Sequence, residues 1–354
     1  MPQHNGGERP RTQRSSPTSH RVTMKDVARR AGVSQPTVSF VLNNRRDVSV
    51  AETTRERVLR AAEELNFQHN RAAQSLRMGK SFRIGVLADE LVASPYAGAV
   101  VLGIQKAVQS AGYTCVVVET SDAPDVGVLA ANTLISQGVD GLIYASAGAH
   151  QVLYPVPEST VRTVFVNCWP AEGDDEPVVL ADEYQGGRDI AAATFAAGHR
   201  DVLYLGGPID DYATLQRSRG LDDAACEAGI DPDTIPREYG DHMAHSGYSL
   251  TLQRLATHVP TAIVCGNDRM ALGALMALHE LGLECPNDVS LVGFDDQPDF
   301  AAELRPPLTT IALPHLQMGL AGGKLLLDDD EPSGHVLIPC TYVPRESLGA
   351  PRQA

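Results

Sequence analysis

The most constraining feature of this chain is an ordered series of helix-start and helix-stop residues near its amino terminus. Thr23 can cap a first helix, and Asp26 follows three residues later, at the acidic position of a capping box. Gly32 then provides the positive φ at which a helix ends. Ser34 can cap a second helix, with Pro36 in its first turn, where the missing N–H costs nothing. This order predicts a helix–turn–helix.

The second helix of this motif is the one that would face a partner. Val38, Val41 and Leu42 are spaced to face the core of the motif. The positions that they turn outward are Gln35, Pro36, Thr37, Ser39 and Phe40. A third helix is predicted over Thr53–Leu65, with a packing face formed by Val58, Leu59, Ala62 and Leu65. In a helix–turn–helix the start of the second helix enters the major groove of DNA, so DNA is the expected partner.

Charge is divided unevenly along the chain. Residues 1–80 contain 15 lysines and arginines against 7 acidic residues, whereas the remaining residues contain 14 against 37. A basic head can neutralise DNA phosphates, and an acidic body stays soluble and repels nucleic acid. The overall charge of −15 therefore conceals a head suited to a polyanionic partner. An evenly charged enzyme would not need this asymmetry.

After Lys80, short β-rich runs alternate with helical stretches in two successive series. The predicted strands are Ile84–Leu87, Cys115–Val118, Gly141–Tyr144, Val164–Val166, Val202–Leu205, Ala262–Cys265 and Val289–Phe294. The predicted helices are Gly98–Ala111, Val126–Gln137, Gln185–Ala197, Gln216–Ala228, Ser246–Thr257 and Arg269–Leu281. This alternation predicts an α/β fold with parallel sheets covered on both faces, in two similar subdomains. A ligand would bind outside the carboxyl ends of the strands, in the cleft between the subdomains.

Other features narrow the class of protein. Residues 1–20 are rich in Pro, Ser, Arg and Gln and are expected to form a disordered tail. Neither a signal-peptide core nor a long apolar span occurs, so a cytoplasmic protein is expected. The six cysteines are scattered singly, without metal-ligand spacing, and are expected to be reduced thiols. Nucleophile-elbow, phosphate-loop and zinc-protease motifs are missing from the sequence, so an enzyme, a cofactor and a metal site are not expected.

Five segments resemble the lactose-repressor (LacI/GalR) family of transcriptional regulators, in family order and at family spacing. They are Thr23–Asn43, the hinge Asn70–Arg77, Gly266–Ala274, Val289–Asp296 and Pro306–Ile311. The resemblance implies a helix–turn–helix domain at 21–67, a hinge at 68–80, a periplasmic-binding-protein-like effector and dimerisation core at 81–349, and a tail at 350–354. Within the core it implies a first subdomain of residues 81–180 and 313–338 and a second of residues 181–312 and 339–349.

The resemblance implies two DNA-contacting elements. Bases would be read by Gln35, Pro36, Ser39 and Phe40, and phosphates would be held by Ser34, Thr37, Asn43 and Thr54. Many family members carry Arg at the position of Phe40, so contact with a thymine methyl would replace hydrogen bonds to guanine. Packing of Phe40 on the third helix is the alternative. In the hinge, Leu76 would wedge into the minor groove, with Ala73 on the same face and Arg77 near a phosphate. The alternative for Leu76 is an ordinary apolar linker residue.

The resemblance also implies an effector site in the cleft. Its residues would be Asp89, Tyr96 and Asn167 from the first subdomain and Arg217, His242, Asn267 and Asp295 from the second. A guanidinium and a carboxylate that face each other suit the neighbouring hydroxyls of a sugar, which is preferred over a nucleobase. A phosphorylated metabolite or a protein partner is a further alternative, and a structural salt bridge is the alternative for Arg217 and Asp295. Trp169, the single tryptophan, can stack on a sugar or pack at the rim.

Together these features predict a repressor that binds a palindromic operator as a homodimer and responds to an effector in the cleft. The chain lacks leucine heptads after its last strand, so a dimer and not a tetramer is expected. No membrane partner is expected. The rival from another class is a periplasmic-type sugar-binding protein that does not act on DNA. That protein would need a signal peptide and no basic helix–turn–helix.

Overall fold

The computed structural model of the chain describes residues 22–42, 48–67, 78–92, 94, 97–120, 124–152, 161–170, 176–298, 300–328 and 334–352. Between Met78 and Gly79 the chain divides into two compact units. The predicted tail at 1–20 and the hinge residues 68–77 lie outside the described residues. The predicted site residues outside them are Asn43, Ala73, Leu76, Arg77 and Tyr96. The roles of these residues stay predictions.

The amino-terminal unit contains the predicted helix–turn–helix. Its helices are α1 (Met24–Ala31), α2 (Gln35–Leu42) and α3 (Glu52–Glu64). The Asp26 carboxylate accepts hydrogen bonds from the Thr23 N–H (3.0 Å) and hydroxyl (2.6 Å), which fixes the start of α1. Gly32 ends α1 with a φ of 67°. The Ser34 hydroxyl oxygen accepts from the Thr37 N–H at 3.3 Å and caps α2.

The core of this unit is formed by one apolar stripe from each helix. The buried residues are Val27, Ala28, Ala31, Val38, Val41, Val58 and Ala61. The predicted packing face of the third helix was wrong at Leu59, which is 49% exposed. Ala61, three residues after Val58, takes the buried position because residues three apart share one helix face.

The carboxy-terminal unit contains two lobes, of which the first is built on a six-stranded parallel sheet. Its strands are β1 (Arg83–Asp89), β2 (Thr114–Glu119), β3 (Gly141–Gln151), β4 (Arg162–Trp169), β5 (Val178–Ala181) and β11 (His335–Ile338), in the spatial order β11-β5-β4-β3-β1-β2. Its helices are α4 (Gly98–Ser110), α5 (Pro124–Ser136) and α10 (His315–Leu327). Val164 and Val166 lie in one core cluster and Phe165 in the other, so β4 is apolar on both faces.

The second lobe is built on a four-stranded parallel sheet. Its strands are β6 (Val202–Gly206), β7 (Arg237–Tyr239), β8 (Ala262–Cys265) and β9 (Ser290–Val292), in the order β7-β6-β8-β9. Its helices are α6 (Glu183–Ala196), α7 (Tyr212–Glu227), α8 (Ala244–Leu255) and α9 (Asp268–Glu280), and a short 3₁₀ helix spans Pro232–Thr234. Two alternating α/β lobes confirm the predicted fold class.

The chain passes between the two lobes three times. The passages run from β5 to α6, from β10 (Thr310–Ala312) to α10, and from β11 to β12 (Thr341–Val343). The strands β10 and β12 pair in antiparallel fashion. Single parallel bridges connect Thr309 with Val292 and Ala312 with Asp295, which attaches this pair to the second lobe.

Three pairs of helices approach each other through glycines. The pairs are α4 with α10, α6 with α7, and α8 with α9. In each pair, a Cβ added to a glycine of either helix would lie within 2.5 Å of a carbonyl oxygen of the other helix. These glycines are Gly103 and Gly319, Gly187 and Gly220, and Gly247 and Gly273. We call them the helix-contact glycines.

The end of the described chain is held against the second lobe. The Nε2 atom of His199 lies 3.0 Å from the carbonyl oxygen of Gly349. Arg352, which the sequence places in a terminal tail, donates hydrogen bonds to three carbonyl oxygens of the second lobe, those of Val259, Pro260 and Asp288. Residues up to Arg352 therefore pack as part of this lobe.

Candidate functional site

The exposed start of α2 is the candidate DNA surface. Gln35 and Pro36 are exposed, whereas Thr37, Ser39 and Phe40 are half-buried. The first turn of α2 therefore presents the most accessible side chains, as base contact in a major groove requires. Phe40 lies between the two predicted situations, because part of its ring is covered and part remains open.

The residues predicted to hold phosphates lie at two helix starts. The hydroxyl oxygens of Ser34 and Thr37 lie 2.8 Å apart at the amino terminus of α2. Thr54 lies in the first turn of α3, where its N–H donates to the Ala51 carbonyl at 2.9 Å. Because the amino terminus of a helix attracts anions, these positions suit contact with DNA phosphates.

The candidate effector site lies at the carboxyl ends of the strands in the two lobes. In the first lobe, Asp89 ends β1, and its Oδ2 atom lies 3.1 Å from Nε2 of His150. Asn167 lies in β4, and its side-chain amide donates to the carbonyl oxygens of Ser146 and Ala147, each at 3.1 Å. The structure therefore holds Asp89 and Asn167 in place through neighbouring residues of β3.

In the second lobe, Arg217 of α7 is surrounded by partners. Its Nε atom donates to Oε2 of Glu183 at 2.8 Å, and its Nη1 atom donates to the Gly266 carbonyl. Its Nη2 atom lies 3.7 Å from Oδ1 of Asp295, and its Cζ atom lies 3.7 Å from the centre of the Phe294 ring. The side chains of Arg217, Glu183 and Asp295 are all less than 8% exposed. The predicted pair of Arg217 and Asp295 is therefore part of a buried charge cluster.

At this cluster, burial and the neighbouring charges shift the pKa values in opposite directions. Burial alone would lower the pKa of the Arg217 guanidinium, but Glu183 and Asp295 outweigh it and raise that pKa. Burial raises the pKa of the Asp295 carboxyl, although the neighbouring Arg217 opposes this change. The guanidinium is therefore held in its charged form, and each carboxylate depends on it for a counter-charge.

Glu183 was not predicted as a site residue. It is the first residue of α6 and is separated by Asp182 alone from β5, the apolar run Val178–Ala181, which was not predicted as a strand. Assigning that run to the sheet would have placed Glu183 at the carboxyl end of a strand, where ligand-binding residues of α/β folds collect.

His242 and Asn267 belong to one hydrogen-bonded group. The Asn267 side chain accepts from the Met270 N–H at 2.8 Å, which caps α9, and donates to the His242 carbonyl at 2.9 Å. The His242 ring lies against Gly207, where an added Cβ would be 1.9 Å from the ring. Its Nε2 atom is 3.5 Å from Oδ2 of Asp211. The amide of Asn267 thus orients the His242 segment of the cleft.

An aromatic contact joins the two lobes. The rings of Trp169, at the end of β4, and Tyr212, the first residue of α7, have centroids 5.0 Å apart. Burial, followed by the nearby Glu183 and Asp182, raises the pKa of the Tyr212 hydroxyl. Trp169 therefore packs against a residue close to the buried charge cluster.

Unusual backbone conformations also concentrate at these strand ends. The residues there with left-handed φ values are Glu90, Asn167, His242, Asp295 and Asp296. Only two other non-glycine residues in the described part of the chain, Asn66 and Phe82, share this conformation. Such backbone costs of order 1–3 kcal/mol per residue and is typical of ligand-binding sites. Its distribution supports the cleft as the functional site.

The described part of the chain offers neither a metal-ligand cluster nor a membrane-spanning helix. Within the described ranges, no group of three or more His, Cys, Asp and Glu side chains has an arrangement that could hold a metal ion. Among the helices of those same ranges, none is both long and apolar enough to cross a membrane.

Comparison with known proteins gives two family matches. The model described as bacterial regulatory proteins, lacI family, matches residues 23–70, which include α1 to α3. The model described as periplasmic binding protein-like domain matches residues 191–348. The HTH-type transcriptional repressor PurR of Proteus mirabilis strain HI4320 is 34% identical over 312 residues, which cover 86% of this chain and 89% of that repressor.

Solved structures agree with these matches. A crystal structure of the lac repressor dimer bound to operator and the anti-inducer ONPF is 31% identical, with a TM-score of 0.72, and the match covers 93% of this chain and 99% of that one. A complex of the transcriptional regulator CelR with cellobiose is 28% identical, with a TM-score of 0.64, and covers 92% and 100%. These relatives are transcriptional regulators and not enzymes. The chain therefore belongs to the lacI family of bacterial regulatory proteins and is a DNA-binding transcriptional regulator.

Proposed function

We propose that this regulator is a repressor that binds a palindromic operator as a homodimer and is released or retained by a sugar in its cleft. The observation that carries the proposal is the accessible first turn of α2 on a basic head, joined in one chain to a cleft with a charged polar floor. A binding protein without a DNA target needs the cleft alone. A regulator needs both parts.

On DNA, the side chains of α2 would read the major groove. Gln35 can make two hydrogen bonds to an adenine, and Phe40 can contact a thymine methyl. The predicted hinge residue Leu76 would enter the minor groove between the half-sites and kink the duplex. Phosphate contacts from Ser34, Thr37, Asn43 and Thr54 would set the register on the operator without reading sequence.

In the cleft, the effector would be a sugar. The described lining offers carboxylates and amides from both lobes, among them Asp89, Asn167 and Asp295, and these groups suit neighbouring hydroxyls. Cellobiose occupies the related regulator CelR, which supports this class of ligand. A nucleobase is the second candidate. Binding would change the relation between the lobes and, through the dimer, the affinity of the heads for DNA, a coupling of typically about 1–3 kcal/mol.

The second copy in the dimer would bind the face formed by α8 and α9. A groove of about 870 Å³ lies there, lined by side chains that include Tyr248, Leu275, Met276 and Leu283. Met276 is 55% exposed and lines this groove together with Leu275 and Leu283, and contiguous exposed apolar surface of this kind is typical of an interaction site. A two-fold axis through this face would bury the same patch of both copies.

The experiment that tests this function is fluorescence-anisotropy titration of a palindromic operator library at two salt concentrations. Each titration is repeated with a panel of monosaccharides, disaccharides and nucleobases. We expect tight, sequence-selective binding that one sugar changes. Binding to all sequences alike would contradict the repressor, and release by a nucleobase alone would replace the sugar with the second candidate.

A further inference from the structure

We propose that Glu183 is a specificity-determining residue that closes the cleft to anionic ligands, so that the effector is an uncharged, hydroxyl-bearing molecule. The inference rests on the proposed function, because it assigns a ligand class to the effector cleft. It concerns a residue that contacts the guanidinium of Arg217 and acts on the ligand through it.

The Arg217 guanidinium is already bonded to partners within the protein. A buried guanidinium at the floor of a cleft is an anion-binding group, because its planar fork matches carboxylate and phosphate oxygens. Here the Nε side of the fork is bonded to Glu183 at 2.8 Å, and the Nη1 atom is bonded to the Gly266 carbonyl. An incoming anion would have to displace Glu183 and leave that carboxylate buried without a counter-charge.

The charges around Arg217 are mostly negative or already paired. Asp295 lies 3.7 Å from Nη2 of Arg217, so two carboxylates share one guanidinium. The other arginine close by, Arg269, donates to Oε1 of Gln297 at 3.3 Å, and Gln297 in turn donates to Oδ2 of Asp295 at 3.1 Å. Arg269 therefore supports Asp295 through an amide and adds no second open cation beside Arg217.

Negative charge also lies at the rim of the cleft. Asp89 ends β1 with its carboxylate 15% exposed, and Asp211 precedes α7 with its carboxylate 29% exposed. Asp89 lies 3.1 Å from His150, and Asp211 lies 3.5 Å from His242. An anion would therefore pass these two carboxylates before it reached Arg217 with Glu183 and Asp295 beside it, whereas a hydroxyl would find acceptors on all of these carboxylates.

The test uses inorganic phosphate as the probe and the full chain at constant ionic strength. The readout is the fluorescence of Trp169, the only tryptophan, whose ring contacts Tyr212 on the helix that carries Arg217. We expect no saturable change for the unmodified protein at millimolar phosphate. The variant Glu183→Gln keeps the shape of the side chain and removes its charge, and we expect it to gain a saturable response with at least tenfold higher phosphate affinity.

Two further variants make the gain specific. In Glu183→Gln/Arg217→Met the response should disappear again, because the freed guanidinium is the anion-binding group. Glu227→Gln is the matched control, since Glu227 also pairs with an arginine of the second lobe, Arg188, at 2.8 Å, but on the surface. This control should behave as the unmodified protein does.

The proposal is overturned if the unmodified protein binds phosphate saturably and Arg217→Met abolishes that binding. It is also overturned if folded Glu183→Gln gains no response. Should Glu183→Gln fail to fold, Glu183→Asn, which also removes the charge, takes its place with the same expected gain and the same overturning outcome. Operator binding without ligand is measured in parallel. If the unmodified protein does not bind the operator, the proposed repressor function is wrong. The phosphate titration would still test the role of Glu183 in the cleft.

Discussion

A guanidinium buried between two carboxylates, as Arg217 is, affects stability differently according to how it is removed. Replacing all the charges of such a cluster with neutral groups can be harmless, because the cost of burying them disappears together with their attraction. Removing only the cation leaves Glu183 and Asp295 buried without a counter-charge. The role in effector binding and the role in folding therefore cannot be separated by one truncation.

We predict that Arg217→Ala lowers the free energy of unfolding by about 3–5 kcal/mol, as breaking a buried ion pair does. Adding Glu183→Gln should recover part of this loss, because one unpaired charge is then removed. Urea unfolding of the two variants measures the difference. The surface control Arg188→Ala should change stability little, since its pair with Glu227 is exposed to water. Equal stability of Arg217→Ala and the unmodified protein would show that the cluster is not an ion pair in solution.

His315 is a second residue whose burial has a measurable consequence. It begins α10 at a passage between the lobes and is 7% exposed. Burial, followed by the nearby Arg217, lowers the pKa of its imidazole to about 4. The folded protein therefore holds His315 neutral at pH values at which the unfolded chain, with an ordinary pKa of about 6.5, binds a proton.

We predict that His315 makes the carboxy-terminal unit less stable as the pH falls from about 6.5 toward 4. The contribution of His315 to the free energy of unfolding is fully present above pH 6.5. It falls by roughly 3 kcal/mol as the pH approaches the folded-state pKa. Chemical unfolding at pH 7 and pH 5 measures it. His315→Asn should flatten the pH dependence, whereas His258→Asn should not, because the His258 side chain is 58% exposed. Parallel slopes for both variants would refute the assignment.

At the scale of elements, the helix-contact glycines determine how closely the helices of each lobe pack. A methyl group at any of them would enter the space of a backbone carbonyl on the partner helix, and backbone cannot move aside as a flexible side chain can. In an isolated helix, replacing Gly by Ala is stabilising by about 1 kcal/mol. At these positions the clash with the partner helix destabilises the fold, whereas the higher helix propensity of Ala stabilises it.

We predict that Gly319→Ala destabilises the carboxy-terminal unit by about 1–3 kcal/mol or more, because its Cβ would lie 2.0 Å from the Val100 carbonyl oxygen. Thermal and urea unfolding measure this change. Gly148→Ala serves as the control, since an added Cβ there meets no atom within 4 Å. A stabilised Gly319→Ala would mean that α4 and α10 separate at little cost.

The recognition helix α2 gives a prediction at the same scale. Gln35→Ala removes the amide that we propose to read a base from the exposed first turn of α2, so discrimination at one operator base pair should fall by about 1–3 kcal/mol. Binding to unrelated DNA should stay unchanged. Anisotropy titrations with single-base operator variants measure both, with Glu63→Ala on the exposed face of α3 as the control. An equal loss of affinity for all DNA sequences would indicate that Gln35 contacts a phosphate and not a base.

Local sequence pattern predicted most of the helices and strands, but not all of them. The caps and apolar spacing predicted Thr53–Leu65 for a helix that spans Glu52–Glu64, and Arg269–Leu281 for one that spans Asp268–Glu280. The strands β5, β7, β10 and β12 were missed because they have only three or four residues and owe their identity to distant partners. The same cause hid Glu183, while Arg217 and Asp295 were reached only through the family resemblance.

At the scale of the whole molecule, the proposed homodimer uses the exposed face of α8 and α9. We predict that Met276→Asp places a charge in the proposed interface, shifts the protein to monomers and weakens operator binding at least tenfold. Sedimentation velocity reports the association state. Leu129→Asp, at a residue that is 68% exposed on α5 of the first lobe, should leave the dimer intact. Dissociation by both variants alike would place the interface elsewhere.

The three passages of the chain between the lobes limit how such a regulator can be rearranged in evolution or in the laboratory. Neither lobe is one continuous stretch of the gene, because each is completed by segments that return from the other. A recombination breakpoint between α6 and β10 would therefore exchange fractions of both lobes. The head, in contrast, is separated from the rest of the chain by the single junction at Met78 and Gly79. At that junction, one head could be replaced by a head with a different DNA target, and the whole ligand-binding unit would be kept.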